Sequence, residues 1–207
     1  MTRIKICGIT NPHDAEAAVL AGADALGFIL TDSPRRVRLE ELRRWVFDLP
    51  PFVVRVGVFR DQPLKELCDV LLTRCVDLVQ LHGQESPQYC LETPQRVIKR
   101  LTVLEDDTPA SLAARLAPYR DCACAFLLDP GAGSGRAFRW ELARGLSGRL
   151  ILSGGLTPEN VGRAVTLLRP YAVDVSSGVE RAPGIKDEAK MRAFVAAVRE
   201  ADAASVA

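Results

Sequence analysis

Short apolar runs alternate along the chain with longer stretches whose apolar positions recur at helical spacing. The runs at 3–7 (RIKIC), 25–30 (ALGFIL), 53–59 (VVRVGVF), 76–81 (VDLVQL), 97–101, 124–128 (CAFLL), 150–152 and 172–176 (AVDVS) have the length and aliphatic content of strands. Between them, 11–21, 39–48, 63–73, 86–91, 109–117, 139–146, 158–168 and 187–203 read as helices. Their ends carry capping chemistry. Asn11 stands as N-cap with Pro12 at the first helical position and Gly22 past the end, and Thr157 caps the helix that opens at Pro158.

This makes eight strand–helix units of about 26 residues each. Strands that alternate with helices predict a parallel sheet covered by those helices. Eight units predict an α/β chain closed into a single (βα)8 TIM barrel. An open, doubly wound sheet is the alternative, but it carries a glycine fingerprint after its first strand, and Gly8-Ile9-Thr10-Asn11 is not G-x-G-x-x-G. No linker or low-complexity stretch interrupts the pattern, so residues 1–207 read as one catalytic barrel domain. Chemistry in such barrels gathers at the C-terminal strand ends. Here those ends carry Cys7, Arg35 and Arg36, His82, Asp129, Ser153-Gly154-Gly155 and Ser176-Ser177-Gly178.

Composition narrows the class. The 207 residues are 48% hydrophobic, enough for one core, and 27 Lys+Arg against 26 Asp+Glu leave a formal charge of +1. That balance predicts neither a nucleic-acid surface nor a membrane-binding one, so an anionic ligand must be held by a few placed groups. The opening Met-Thr-Arg-Ile-Lys-Ile-Cys-Gly lacks a signal-peptide core, and no apolar run is long enough for a membrane span. The six cysteines are scattered, as expected of thiols in a reducing cytoplasm. Cys122 and Cys124 read as a structural pair in a buried strand, since only His13 and His82 are available to complete a metal site. The expectation is a cytoplasmic enzyme without metal or cofactor, acting on a small molecule as a monomer or homodimer.

Two late segments suggest a phosphate site. Ser153-Gly-Gly-Leu-Thr-Pro-Glu-Asn160 runs from the seventh strand into a helix start, and Asp174-Val-Ser-Ser-Gly-Val-Glu180 leaves the eighth. Glycines let backbone approach a ligand, helix-start N–H groups attract dianions, and the last two loops are the usual phosphate place in this fold. Gly154, Gly155, Ser176, Ser177 and Gly178 are therefore candidate ligands; service in tight turns alone is the alternative. Period-two alternation puts Lys5 and Cys7 on one face of the first strand and Ile4 and Ile6 on the other. With the apolar face toward the helices, Cys7 points inward beside an ammonium, which favours the thiolate and a general-base role; otherwise it is a small buried hydrophobe. Asp129 ends an apolar strand, where a desolvated acid with a raised pKa can donate a proton, unless it merely organises the next turn. The glycine-rich loop after it is suited to cover a substrate. His82 can orient a ligand or make a structural hydrogen bond. Arg35 and Arg36 can clamp a carboxylate or form a solvated turn. His13 is given no role.

With those residues in place, the chain resembles phosphoribosylanthranilate isomerases of tryptophan biosynthesis. The likeness runs through KICGIT at 5–10, GADALGFI at 22–29, RVGVF at 55–59, VQLHG at 79–83, LLD at 127–129, LSGGLTPENV at 152–161 and VDVSSGVE at 173–180. The resemblance implies an Amadori rearrangement of N-(5-phosphoribosyl)anthranilate to the 1-deoxyribulose phosphate, with Asp129 as general acid and Cys7 as general base. It also implies an arginine for the anthranilate carboxylate; Arg35 fits the Ser-Pro-Arg motif, Arg36 the ungapped spacing, and Arg35 is preferred. The loop after Asp129 departs from the family's GGTGKTFDW. Arg136 replaces its lysine, which keeps the charge, and Arg139 replaces its aspartate, which reverses it. Competing readings are another phosphosugar isomerase or epimerase, or a barrel that binds phosphosugars without turning them over. A metal-dependent epimerase would need inward His and Asp ligands, for which two histidines are few.

Overall fold

The structure is a computed structural model that describes residues 1–131 and 137–204. Eight parallel strands close into a barrel in sequence order, β1 pairing with both β2 and β8. They are β1 Arg3–Cys7, β2 Ala25–Ile29, β3 Val54–Phe59, β4 Leu78–Leu81, β5 Val97–Thr102, β6 Ala123–Asp129, β7 Leu150–Leu152 and β8 Ala172–Val175. Helices α1 Pro12–Ala21, α2 Leu39–Leu42, α3 Leu64–Leu72, α4 Pro87–Glu92, α5 Pro109–Leu116, α6 Pro158–Leu168 and α7 Glu188–Ala204 lie between and after them. The (βα)8 TIM barrel expected from the alternation is what forms.

Alternation along each strand divides the apolar residues into two cores. Ile4, Ile6, Leu26, Phe28, Phe126 and Leu128 point outward into a layer shared with helix residues such as Ala15, Ala18 and Phe194. Val56, Ile98, Ala125, Leu127, Ile151 and Ala172 fill the barrel interior. Several inward positions above that plug, toward the C-terminal strand ends, are polar, beside the apolar Ile29 and Val58. Cys7, Gln80, Asp129, Ser153 and Asp174 all occupy them and all are buried.

Capping follows the sequence closely. The Asn11 side chain accepts from the Asp14 N–H at 2.8 Å, Pro12 opens α1, and Gly22 ends it in the left-handed region at φ 103°. Ahead of α6, the Thr157 N–H donates to Asn160 Oδ1 at 2.9 Å, and Asn160 Nδ2 donates back to the Gly155 carbonyl at 2.8 Å. The helix thereby fixes the glycine loop in front of it.

Two expected helices are shorter. The 39–48 stretch forms only the turn α2 and a 3-10 turn at Val46–Asp48, with Trp45 between them at φ −140° and ψ −15°. Trp45 packs edge-on against Phe28, ring centroids 5.7 Å apart, and that contact overrides helix propensity. The 139–146 stretch is a 3-10 turn at Trp140–Ala143, ended by Gly145 at φ 75°. A hairpin that the alternation did not predict, β9 Glu180–Ala182 and β10 Ile185–Lys186, follows β8. Its signal was the Pro183-Gly184 turn, with Gly184 at φ 78°. Cys122 and Cys124 are not a buried pair. Cys122 precedes β6, and Cys124, half-buried against the inner cluster, lies where the β5–β6 register shifts.

Candidate active site

One cavity of about 350 Å³ opens at the C-terminal end of the barrel. Cys7, Arg35, His82, Asp129, Gly154, Gly155, Ser176 and Ser177 line it together, although they come from six different strands or strand-end loops. Arg36 and Gly178 are not in its wall.

The loop after β2 explains how the two arginines part. Ser33 and Pro34 open a turn in which the Arg36 N–H donates to the Ser33 carbonyl at 3.1 Å, with proline at its favoured second position. Arg35, at the third position, turns into the cavity. Its Nε and Nη2 form a fork on Glu180, each at 2.8 Å. Arg36 is exposed and its backbone bridges to Ile29.

Space requires glycine at Gly154 and Gly178, and Gly155 takes a left-handed backbone. Gly154 and Gly155 are left-handed, at φ 82° and 62°, and a Cβ on Gly154 would lie 2.2 Å from Pro130 Cδ. A Cβ on Gly178 would lie 1.9 Å from the Leu156 carbonyl oxygen. Gly178 therefore acts behind the wall, letting the two loops close on each other. Gly8, at φ 78°, sits between Arg35 and Ser176 in the same manner.

Lys5 and Cys7 point inward, as alternation predicted. Gly27 on β2 makes room for them, since a Cβ there would meet Cys7 Sγ at 2.6 Å and Lys5 Nζ at 2.9 Å. Lys5 Nζ donates to Asp174 Oδ1 at 2.8 Å, and both side chains are buried. The eased ionisation expected for Cys7 does not hold in this cavity. Burial pushes the thiol up; Lys5 pulls it down, but Asp174 opposes Lys5, and burial prevails. For Lys5 itself burial works against the charge, yet Asp174 and Cys7 outweigh it and hold the ammonium above its ordinary value.

Asp129 Oδ1 accepts from the Gly131 N–H at 2.7 Å and from Arg100 Nη2 at 3.4 Å. His82 is held by burial, and secondarily by Arg100, at a pKa of about 4, so it is neutral at physiological pH. Its Nδ1 faces Gln80 Nε2 at 3.2 Å. The glycine-rich loop beyond Gly131, including Gly133 and Arg136, lies outside the described residues. Arg139 is described, and its Nη2 donates to the Glu105 carbonyl at 3.4 Å.

Three contributors to the site escaped the sequence reading: Gln80, Arg60 and the Lys5–Asp174 pair. Alternation places Gln80 with His82 and Asp174 with Ser176 on inward faces, so the signal was present for two of them. Gln80 Oε1 and Ser176 Oγ are buried without a hydrogen-bond partner, and both residues face the cavity. Such atoms are costly unless a ligand satisfies them. Arg35, Arg60 and nearby Lys5 supply positive charge, so the cavity suits an anion with polar groups. Among the described residues, no helix is long and apolar enough to cross a membrane.

The sequence matches the model of a family described as N-(5'phosphoribosyl)anthranilate (PRA) isomerase over residues 4–197. The N-(5'-phosphoribosyl)anthranilate isomerase of Pelobacter propionicus is 44% identical over 208 residues, covering 97% of each chain. The crystal structure of phosphoribosyl anthranilate isomerase from Thermotoga maritima superposes with a TM-score of 0.88 at 41% identity, covering 97% of this chain and 100% of that one. A further structure of such an isomerase, in complex with reduced 1-(o-carboxyphenylamino)-1-deoxyribulose 5-phosphate, gives a TM-score of 0.86 at 40% identity, with 97% and 100% covered. A barrel of this topology, with its anion-suited mouth and a likeness that runs along nearly the whole chain, belongs to the phosphoribosylanthranilate isomerase family.

Proposed function

We propose that the chain converts N-(5-phosphoribosyl)anthranilate to 1-(2-carboxyphenylamino)-1-deoxyribulose 5-phosphate in tryptophan biosynthesis, by an Amadori rearrangement. The observation that carries this reading is that Cys7 and Asp129, from β1 and β6, line one cavity whose rim is formed by the two glycine loops. The Gly154-Gly155 loop and the Ser176–Gly178 turn receive the phosphate. Arg35 receives the anthranilate carboxylate. His82, neutral, orients the ribose by hydrogen bonding rather than by proton transfer.

The chemistry then needs one acid and one base. Asp129 protonates the ring oxygen as the C1–O bond breaks, and the nitrogen lone pair forms the C1=N iminium. Cys7, as thiolate, takes the C2 proton; the C–H electron pair becomes the C1=C2 bond and the iminium is neutralised to an enolamine. Protonation at C1 and loss of the hydroxyl proton give the ketone. Because burial pushes the Cys7 thiol up, the thiolate is a strong base once formed, and kcat/KM rises with pH through its ionisation.

The test is the decay of anthranilate-derivative fluorescence on adding enzyme. Wild-type protein removes the signal. Asp129→Asn and Cys7→Ser each cut turnover by at least ~10² while the reduced product analogue still binds. Near-normal turnover in either variant defeats the role given to that residue.

A further inference from the structure

The β9–β10 hairpin ends in a lysine whose side chain is fully buried. Three acceptors converge on Lys186 Nζ: the Cys7 carbonyl at 2.5 Å, the Ser176 carbonyl at 3.3 Å and Glu180 Oε1 at 2.8 Å. An ammonium has three protons to give, so the set is complete. The hairpin that delivers it is pinned on both sides. The Lys186 N–H donates to the buried Asp14 Oδ2 at 2.8 Å, and Thr10 Oγ1 donates to the Gly184 carbonyl at 2.6 Å. Glu180, which takes one of the three Lys186 protons, also receives the Arg35 fork. A single buried cation thus holds the ends of the strands that carry Cys7 and Ser176. Through one carboxylate it also reaches Arg35.

We infer that Lys186 is a positioning residue for the Cys7 base: it fixes the end of β1 by its carbonyl and places a positive charge close to the thiol. This rests on the reading of Cys7 as the general base. A buried lysine is costly to keep charged, and burial does pull this one below its ordinary value. Two neutral backbone acceptors alone would be served as well by an uncharged donor. What the cation adds, besides the larger pull of Lys5, is a field at the thiol that favours the thiolate. The charged groups around Cys7 are Lys5 on its own strand, Asp174 on β8, Arg35 after β2 and Lys186 on β10; Arg60, His82 and Asp129 face it across the cavity. Lys5 is already paired with Asp174, and Arg35 and Lys186 share Glu180. Of the latter two cations, Lys186 is the one bonded to the backbone of Cys7 itself.

The experiment measures two pH profiles in the full chain, for wild type, Lys186→Met and Lys186→Gln. The first is kcat/KM; the second is the rate of iodoacetamide alkylation at Cys7, resolved by peptide mass spectrometry from the other five cysteines. Glutamine removes the charge but keeps two N–H donors on a shorter side chain, so it serves if the methionine variant fails to fold. The expected result is that both profiles move to higher pH by about one unit. Alkylation of Cys7 at pH 8 then slows about tenfold, and the gap closes at high pH. An alkylation profile that coincides with wild type overturns the inference, as does an activity loss that is equal at every pH, which is the mark of a purely structural lysine. Cys7→Ala separates this from the reading beneath it. An alanine variant that still turns over removes Cys7 as base, whereas an inactive one beside an unmoved alkylation profile removes only the role of Lys186.

Discussion

The Lys5–Asp174 pair offers the sharpest test of how the barrel mouth is held. Its atoms are 2.8 Å apart and the two side chains are only 4% and 6% exposed, so neither ion has water to fall back on. Asp174→Asn keeps the shape and one acceptor but leaves the ammonium buried without a counter-charge. Removing one partner of such a pair costs about 3–5 kcal/mol. In a chain of this size each kcal/mol shifts Tm by roughly 2–4 °C, so the variant should melt roughly 6–20 °C lower at pH 7. The deficit should shrink as the pH is raised. In the wild type Lys5 is held above its ordinary value, chiefly because Asp174 offsets its burial; in the variant only Cys7 still opposes burial, so the ammonium loses its main support and gives up its proton more readily as pH rises. Lys5→Met costs stability of its own by stranding Asp174. The double variant Lys5→Met/Asp174→Asn should recover much of the loss, because no unpaired ion remains. Calorimetric melts of the four proteins give the coupling. Additive losses in the double variant, or a single-variant shift under about 2 °C, would refute the view that these two charges are buried as a pair.

Other expectations follow from the site. Arg35→Ala should raise KM by roughly 10- to 150-fold, for lost charge-assisted bonds of about 1.5–3 kcal/mol, while Arg36→Ala behaves as wild type; a larger effect at Arg36 would move the clamp there. Gly178→Ala puts a methyl 1.9 Å from the Leu156 carbonyl and should separate the two phosphate loops, weakening competitive inhibition by inorganic phosphate at least tenfold, and unchanged inhibition counts against that site. His82 is depressed from 6.5 to about 4, so the unfolded chain gains a proton there before the folded one does. Stability should therefore fall as pH drops from about 6.5 to about 4, and His82→Gln should flatten that part of the denaturation profile; an unaltered slope shows that other groups set it.

The period of the apolar pattern determined the barrel, because a strand buried on both faces and a helix buried on one leave different marks in a chain. The same pattern located Cys7 and Asp129, since both stand where an apolar run stops and a loop begins. Alternation within β1 predicted that Lys5 and Cys7 face inward, and they do. It did not foretell the ionisation of the thiol. That depends on Asp174, which is 169 positions from Lys5 in sequence and 2.8 Å from it in space.

Tertiary structure alone decided the rest. Arg35 and Arg36 are adjacent and chemically identical, and only the turn at Ser33-Pro34 and the waiting Glu180 send one inward and leave the other in solvent. The helical stretch breaks between Leu42 and Val46, where Trp45 leaves helical geometry and packs edge-on against Phe28, a partner that nothing in its own segment foretells. The Lys186 cluster joins Cys7, Ser176 and Glu180, and no local pattern announces it. Periodicity records which side of an element is buried; it carries nothing about which distant charge that side will meet, and the energy of a buried ion is set by that meeting.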